Sequence, residues 1–143
     1  MEPLIVPGTL DELGAIANYV LAAARTAGLD KTTSYDLRLA VDEIVTNIII
    51  HGYGEANRVG EIQVSAKLVE QALAIAIEDT AVPYDPTQAP PPPELHLPLE
   101  RRQAGGLGVY LALQGVDRLT YERVGDRNRN TLVVNRQKSS TLD

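Results

Sequence analysis

From Glu61 to Asp79 the chain alternates. Ile62, Val64, Ala66 and Leu68 interleave with Glu61, Gln63, Ser65 and Lys67, and Leu73, Ile75 and Ile77 then interleave with Ala72, Ala74 and Ala76. A period of two sends successive side chains to opposite faces of a sheet. The first segment reads as a half-buried strand. The second reads as a central strand, covered on one face and closely approached on the other, and it finishes in Glu78-Asp79. A sheet with one apolar face has to be covered, and the cover precedes it at helical spacing. Thr9 opens T-L-D-E, a capping-box pattern with Glu12, and Leu10, Leu13, Ala17, Val20, Leu21 and Ala24 follow before Gly28 supplies a stop. A second helix runs from about Thr33 to His51, with Leu37, Val41, Ile44, Val45 and Ile48 on its apolar face and Gly52 and Gly54 at its end.

The remaining elements are shorter. Pro3 to Pro7 suits an edge strand, since proline is tolerated at strand ends and edges. Thr80 to Ala104 holds most of the prolines, including Pro90 to Pro93, and has no periodicity, which is the composition of a lid. A helix from about Gly106 to Gln114 and strands near Leu119 to Val124 and Thr131 to Asn135 follow. Strands grouped as hairpins with helices segregated on one face give a two-layer α/β sandwich of the α+β kind, its sheet mixed and mostly antiparallel. With no Phe or Trp, the core has to be built from Leu, Ile, Val, Ala and a few Tyr. One domain over residues 1–143 is expected, with a lid at about 80–104 and a disordered tail at about 138–143.

Several function classes drop out. Without cysteine there is no disulfide framework and no thiolate metal site, in agreement with a reducing compartment. No apolar run approaches the ~20 residues that span a bilayer, and no basic-then-apolar leader opens the chain. A soluble, cytoplasmic protein without membrane attachment is expected. A net charge of -6 argues against a phosphate-tracking surface. The basic residues between Arg118 and Lys138 are interrupted by Asp117, Glu122 and Asp126, as on a solvated sheet edge, so no direct nucleic-acid partner is expected.

Three segments carry chemistry. In A-V-D-E-I-V-T-N-I-I-I-H-G-Y, Ala40 to Tyr53, the residues Glu43, Asn47 and His51 recur every four positions along one helix stripe. Glu43 and His51 are ~12 Å apart along the axis, so one metal cannot bind all three. A carboxylate and a carboxamide one turn apart can polarise an attacking group and ligate a hard cation. Spacing alone does not separate this from the wet side of an amphipathic helix. Gly105-Gly106-Leu107-Gly108 opens a helix whose exposed N–H groups can approach phosphate oxygens, although a plain glycine turn is equally compatible. It is neither a dinucleotide fingerprint nor a P-loop: Leu111 stands where the third glycine would be, and no G-K-S or G-K-T occurs. Asp79, ending an apolar strand, can fix a ligand's exocyclic amino group or simply begin a turn.

Taken in order, these segments resemble the GHKL ATP-binding superfamily of gyrases, heat-shock chaperones, histidine kinases and mismatch-repair proteins. The likeness is closer to the anti-sigma-factor serine kinases. L-A-V-D-E-I-V-T-N-I-I-I-H-G-Y resembles their N-box, D-T-A-V-P-Y-D-P (Asp79 to Pro86) their D-x-G-x-P-F-D-P turn, G-G-L-G-V-Y-L (Gly105 to Leu111) their second glycine box, and R-N-T-L-V-V (Arg129 to Val134) their closing strand. The similarity runs from about Asp36 to Arg136.

The resemblance implies the Bergerat, or histidine-kinase-like, ATP-binding fold and a kinase that uses ATP and Mg²⁺. Asn47 would ligate the Mg²⁺, and Glu43 would be the general base that orients a partner's serine hydroxyl. Asp79 would accept the adenine amino group, Gly105, Gly106 and Gly108 would cradle phosphate, and Thr131 would lie near adenine. His51 matches a common family residue, with a helix-terminal structural role as the alternative. Expected partners are an anti-anti-sigma protein of the STAS type, a sigma factor or similar regulator, and a second copy in a homodimer. Where the family has glycine two residues after the adenine aspartate, this chain has Ala81, whose methyl is expected to narrow the pocket. A nucleotide-binding switch without phosphoryl transfer is therefore the alternative function. A histidine-kinase catalytic domain is disfavoured, since no helical phosphoacceptor region precedes the domain.

Overall fold

The computed structural model describes residues 1–88 and 114–136. Five strands form one sheet: β1 (Leu4–Pro7), β2 (Glu61–Val69), β3 (Ala72–Asp79), β4 (Arg118–Val124) and β5 (Arg127–Asn135). Their spatial order is β1-β2-β3-β5-β4, and all four pairings among the described residues are antiparallel. Two helices, α1 (Leu13–Ala27) and α2 (Lys31–Asn47), pack on one face, as the patterning requires. The core between the layers is aliphatic, with Ile16, Val20, Leu37, Val41, Val45, Ile62, Val64, Leu73, Ile75, Ile77, Leu132 and Val134 all buried. On β3 the alternation appears as expected: Leu73, Ile75, Ile77 and Asp79 face the helices, and Ala72, Ala74, Ala76 and Glu78 are half-buried on the other face. On β2 burial fades along the strand, from Ile62 and Val64 to an exposed Leu68.

The helix starts differ from the sequence reading. Thr9 makes no side-chain cap. The chain leaves β1 through a tight turn, with Thr9 N–H bonded to the Pro7 carbonyl, and enters α1 through a 3₁₀ turn at Leu10–Glu12. In that turn the Glu12 N–H is already satisfied by the Thr9 carbonyl at 3.0 Å, which leaves the capping box without its donor. Gly28 does end α1, in the left-handed region at φ 80°. The second helix begins earlier than expected, capped by Asp30, whose carboxylate accepts the Thr33 N–H at 2.7 Å.

The end of α2 is the largest departure. Instead of stopping at Gly52, the chain widens into a π-helix over Ile48–Gly54, beginning directly after Asn47. Two contacts hold this segment. Val82 donates its N–H to the Gly52 carbonyl at 3.3 Å, and the ring of Tyr53 is wedged between Gly8 and Gly60. A Cβ on either of those glycines would lie 2.8 or 2.7 Å from ring atoms, so both positions need glycine for close approach.

Candidate functional site

The site forms where the π-helix meets the C-terminal end of β3. Asp79 is fully buried there, on the helix-facing side of the sheet. Its Oδ1 accepts two hydrogen bonds, from Asn128 Nδ2 at 2.8 Å and from the Ala81 N–H at 2.9 Å. Its Oδ2 is buried and has no partner among the described residues. Burial pushes the Asp79 carboxyl above the usual range, opposed by the bonds from Asn128 and Ala81 and by the charges of Arg123 and Arg127. A buried acceptor with one oxygen satisfied and the other free is unusual in a folded core, where polar atoms are paired. It fits a ligand that brings its own donor, such as the amino group of adenine.

Tyr53 fixes the turn that follows. Its hydroxyl donates to the Glu61 carbonyl at 2.8 Å, accepts the Thr80 N–H at 2.9 Å, and lies 3.2 Å from Thr80 Oγ1. Arg58 Nη1 adds a bond to the Thr80 carbonyl at 3.2 Å. The next residue, Ala81, is 2 % exposed, its methyl packed against Gly52: a Cβ built on Gly52 would lie 2.8 Å from the Ala81 Cβ. The methyl expected to narrow the pocket is thus accommodated by a glycine across the contact.

Glu43 and Asn47 lie half-buried on α2, Asn47 at the junction with the π-helix. Burial raises the Glu43 carboxyl above its usual range, and the adjacent Asp42 carboxylate raises it further. Asp42 is itself pushed up by burial and drawn back by Arg38, whose Nε lies 3.2 Å away. His51 is exposed and its Nδ1 lies 2.9 Å from Glu55 Oε1, one turn along, which is the structural alternative considered for it.

Thr131 is not brought to Asp79. The burial pattern of β5 places Asn128, Asn130, Leu132 and Val134 on the helix-facing side and Thr131 on the opposite face, in register with Ala76 and Thr120. The strand positions that reach the Asp79 side are Asn128 and Asn130, and the buried Oδ1 of Asn130 also lacks a partner among the described residues. A strand read from Thr131 leaves both outside it, whereas β5 begins at Arg127. The available signal was parity, since Asn128 and Asn130 share the phase of Leu132 and Val134. Gly105, Gly106 and Gly108, and the lid beyond Gln88, lie outside the described residues.

On the other face, Glu78 sits between Arg127 Nε at 3.0 Å and Arg129 Nε at 2.8 Å, and Arg129 also reaches Glu122 at 3.0 Å. Burial pushes Glu78 up, but the hydrogen bonds from Arg129 and Arg127 outweigh it and hold the carboxyl below its usual range. This ladder clips β3, β5 and β4 together and does not touch the site.

Residues 6–135 match the sequence profile of the histidine kinase-like ATPase domain. Among curated proteins, the chain is 32 % identical over 98 residues to the serine/threonine-protein kinase BtrW of Bordetella bronchiseptica, covering 68 % of each. It is 29 % identical over 109 residues to the serine-protein kinase RsbW of Bacillus cereus, covering 74 % of this chain and 67 % of the relative. Among solved structures, it superposes on the RsbU and RsbW domains of a Mycobacterium tuberculosis protein with a TM-score of 0.62 at 17 % identity. That match covers 94 % of this chain but only 32 % of the mycobacterial one. The nucleotide-free catalytic domain of the histidine kinase ThkA gives 0.53 at 13 % identity, covering 95 % and 98 %. These structural likenesses concern the fold alone.

Proposed function

This chain belongs to the histidine kinase-like ATPase domain family, and on that premise we propose that it is a protein serine/threonine kinase that binds Mg-ATP. Its substrate is an anti-anti-sigma protein of the STAS type, and it sequesters a sigma factor or similar regulator. The observation that carries the reading is Asp79, fully buried, with an Oδ2 that has no partner among the described residues and can accept a base's amino group. Relatives named as serine kinases support the reaction class.

Asn47 fits the metal: its half-buried carboxamide would offer the oxygen that a hard cation such as Mg²⁺ takes, beside substrate phosphates and water. When bound, Mg-ATP supplies the phosphoryl group and the ion that neutralises its charge. Glu43 supplies the base: its raised carboxyl, nearer neutrality than a free glutamate, takes the proton of the partner's seryl hydroxyl. Gly105, Gly106 and Gly108 cradle phosphate beneath the lid in this reading. The packing of the Ala81 methyl against Gly52 supports the kinase over a switch without transfer. We place the protein in the cytoplasm, as a homodimer and as one domain. Among the described residues, no helix is long and apolar enough to cross a membrane.

The test is radiolabel transfer from ATP to a cognate partner, run beside nucleotide binding. Glu43→Gln should keep ATP affinity and lose at least ~100-fold in transfer, whereas Asn47→Ala should lose both. A wild type that binds nucleotide and partner but transfers nothing would refute the kinase and leave the switch.

A further inference from the structure

Asn128 is the most constrained side chain at the site. Its Nδ2 points at three acceptors: Asp79 Oδ1 at 2.8 Å, the Ala81 carbonyl at 3.1 Å and the Val82 carbonyl at 3.3 Å. Its Oδ1 accepts from the Tyr121 hydroxyl and from Arg123 Nη1 at 3.2 Å. Arg123 Nη1 also reaches the Ala81 carbonyl at 3.3 Å. The amide has one workable orientation, because flipping it would set its oxygen against a carboxylate and two carbonyls. Asn128 is 3 % exposed and pairs across the ladder with Asp79 on one side and Arg123 on the other.

We infer that Asn128 is a positioning residue that sets base specificity: its amide pins Asp79 as an acceptor through Oδ1, so that Oδ2 selects a purine bearing a 6-amino group over its 6-oxo counterpart. The inference rests on the reading that Asp79 meets the base. A 6-oxo group facing Oδ2 places acceptor against acceptor in a dry site, the arrangement that buried polar sites reject most strongly. Without the Asn128 amide, Asp79 keeps the Ala81 N–H and the charges of Arg123 and Arg127, and burial then favours its protonated form. A protonated carboxyl can turn its O–H outward and donate to a 6-oxo group. Discrimination between amino and oxo purines therefore depends on a side chain that need not touch the base.

The experiment is calorimetric titration of the full chain with Mg-ADP and Mg-IDP, for wild type, Asn128→Ala, Asn128→Asp and Tyr121→Phe. Tyr121→Phe removes one donor to Asn128 and leaves Asp79 unaltered, so it remains informative where an Asn128 variant does not fold. Wild type should prefer ADP by at least ~100-fold. Each folded Asn128 variant should lower that ratio at least tenfold, and Tyr121→Phe should lower it in the same direction by less. Affinities for both nucleotides that weaken in parallel, with the ratio unchanged, would overturn the inference while leaving nucleotide binding intact. A wild type that binds neither would remove the inference together with the functional reading beneath it.

Discussion

Replacing Gly52 with alanine tests how the turn after Asp79 is held against the helix that carries Asn47. The added Cβ would sit 2.8 Å from the Ala81 Cβ, about 1 Å closer than an ordinary carbon contact. Both atoms are anchored directly to backbone, so the strain cannot be relieved by a rotamer change. Overpacking of this kind costs about 1–3 kcal/mol. Alanine is favoured over glycine inside a helix by up to about 1 kcal/mol, which offsets part of that cost. The single variant is therefore expected to lose about 0–3 kcal/mol, too wide a range to decide, whereas the double-mutant cycle isolates the contact. In Gly52→Ala/Ala81→Gly the methyl moves from one side of the contact to the other and the overlap disappears. Urea denaturation of the four proteins should give a coupling energy of about 1–3 kcal/mol, with the double variant more stable than the sum of the singles predicts. Costs that add to within about 0.5 kcal/mol would show that the contact does not hold the turn, and the account of Ala81 would fail with it.

Two further substitutions probe the neighbours. Tyr53→Phe strips the hydroxyl that serves Glu61 and Thr80 together, leaving the Thr80 N–H and the Glu61 carbonyl without that partner. A loss of about 1–3 kcal/mol in urea denaturation is expected, and a loss below about 0.5 kcal/mol would mean that water replaces it. Asp79→Asn addresses the buried charge. Because the folded-state pKa of Asp79 is raised, its contribution to stability is fully present below the ordinary aspartate range and is lost as pH rises through the folded value. Asparagine does not titrate, so the Tm of the variant relative to wild type should climb between pH 4 and pH 8 while ADP binding weakens. A variant Tm that stays at a constant offset from wild type, or falls relative to it as pH rises, would contradict a burial-dominated carboxyl.

What the sequence made legible was what local chemistry encodes. The alternation from Ile62 to Ile77 named two strands and their buried faces, the stripes of α1 and α2 named the cover, and Glu43, Asn47 and Asp79 stood out by type and place. The parts that stayed hidden depend on contacts distant in the chain. Nothing near Ile48 marks a π-helix, which is held by Gly52 meeting a turn that begins at Thr80. Asn is a poor strand former, so R-N-R-N does not read as strand until Asp79 supplies its partner. The Thr9 hydroxyl was displaced from its expected cap by its own main-chain carbonyl, a competition invisible in residue type.

The sheet order has a consequence for how the protein is made. β5 enters between β3 and β4, so the inner edge of β3 waits for a strand that begins at Arg127. Asp79 and Asn128 are 49 residues apart. At ribosomal rates of about 5–20 residues per second, that interval is about 3 to 10 s. During it the nascent chain presents Leu73, Ile75 and Ile77 along an unpaired edge, the kind of template that recruits foreign strands. The same residues that bury most deeply in the finished sheet are the ones left without a neighbouring strand until β5 is made.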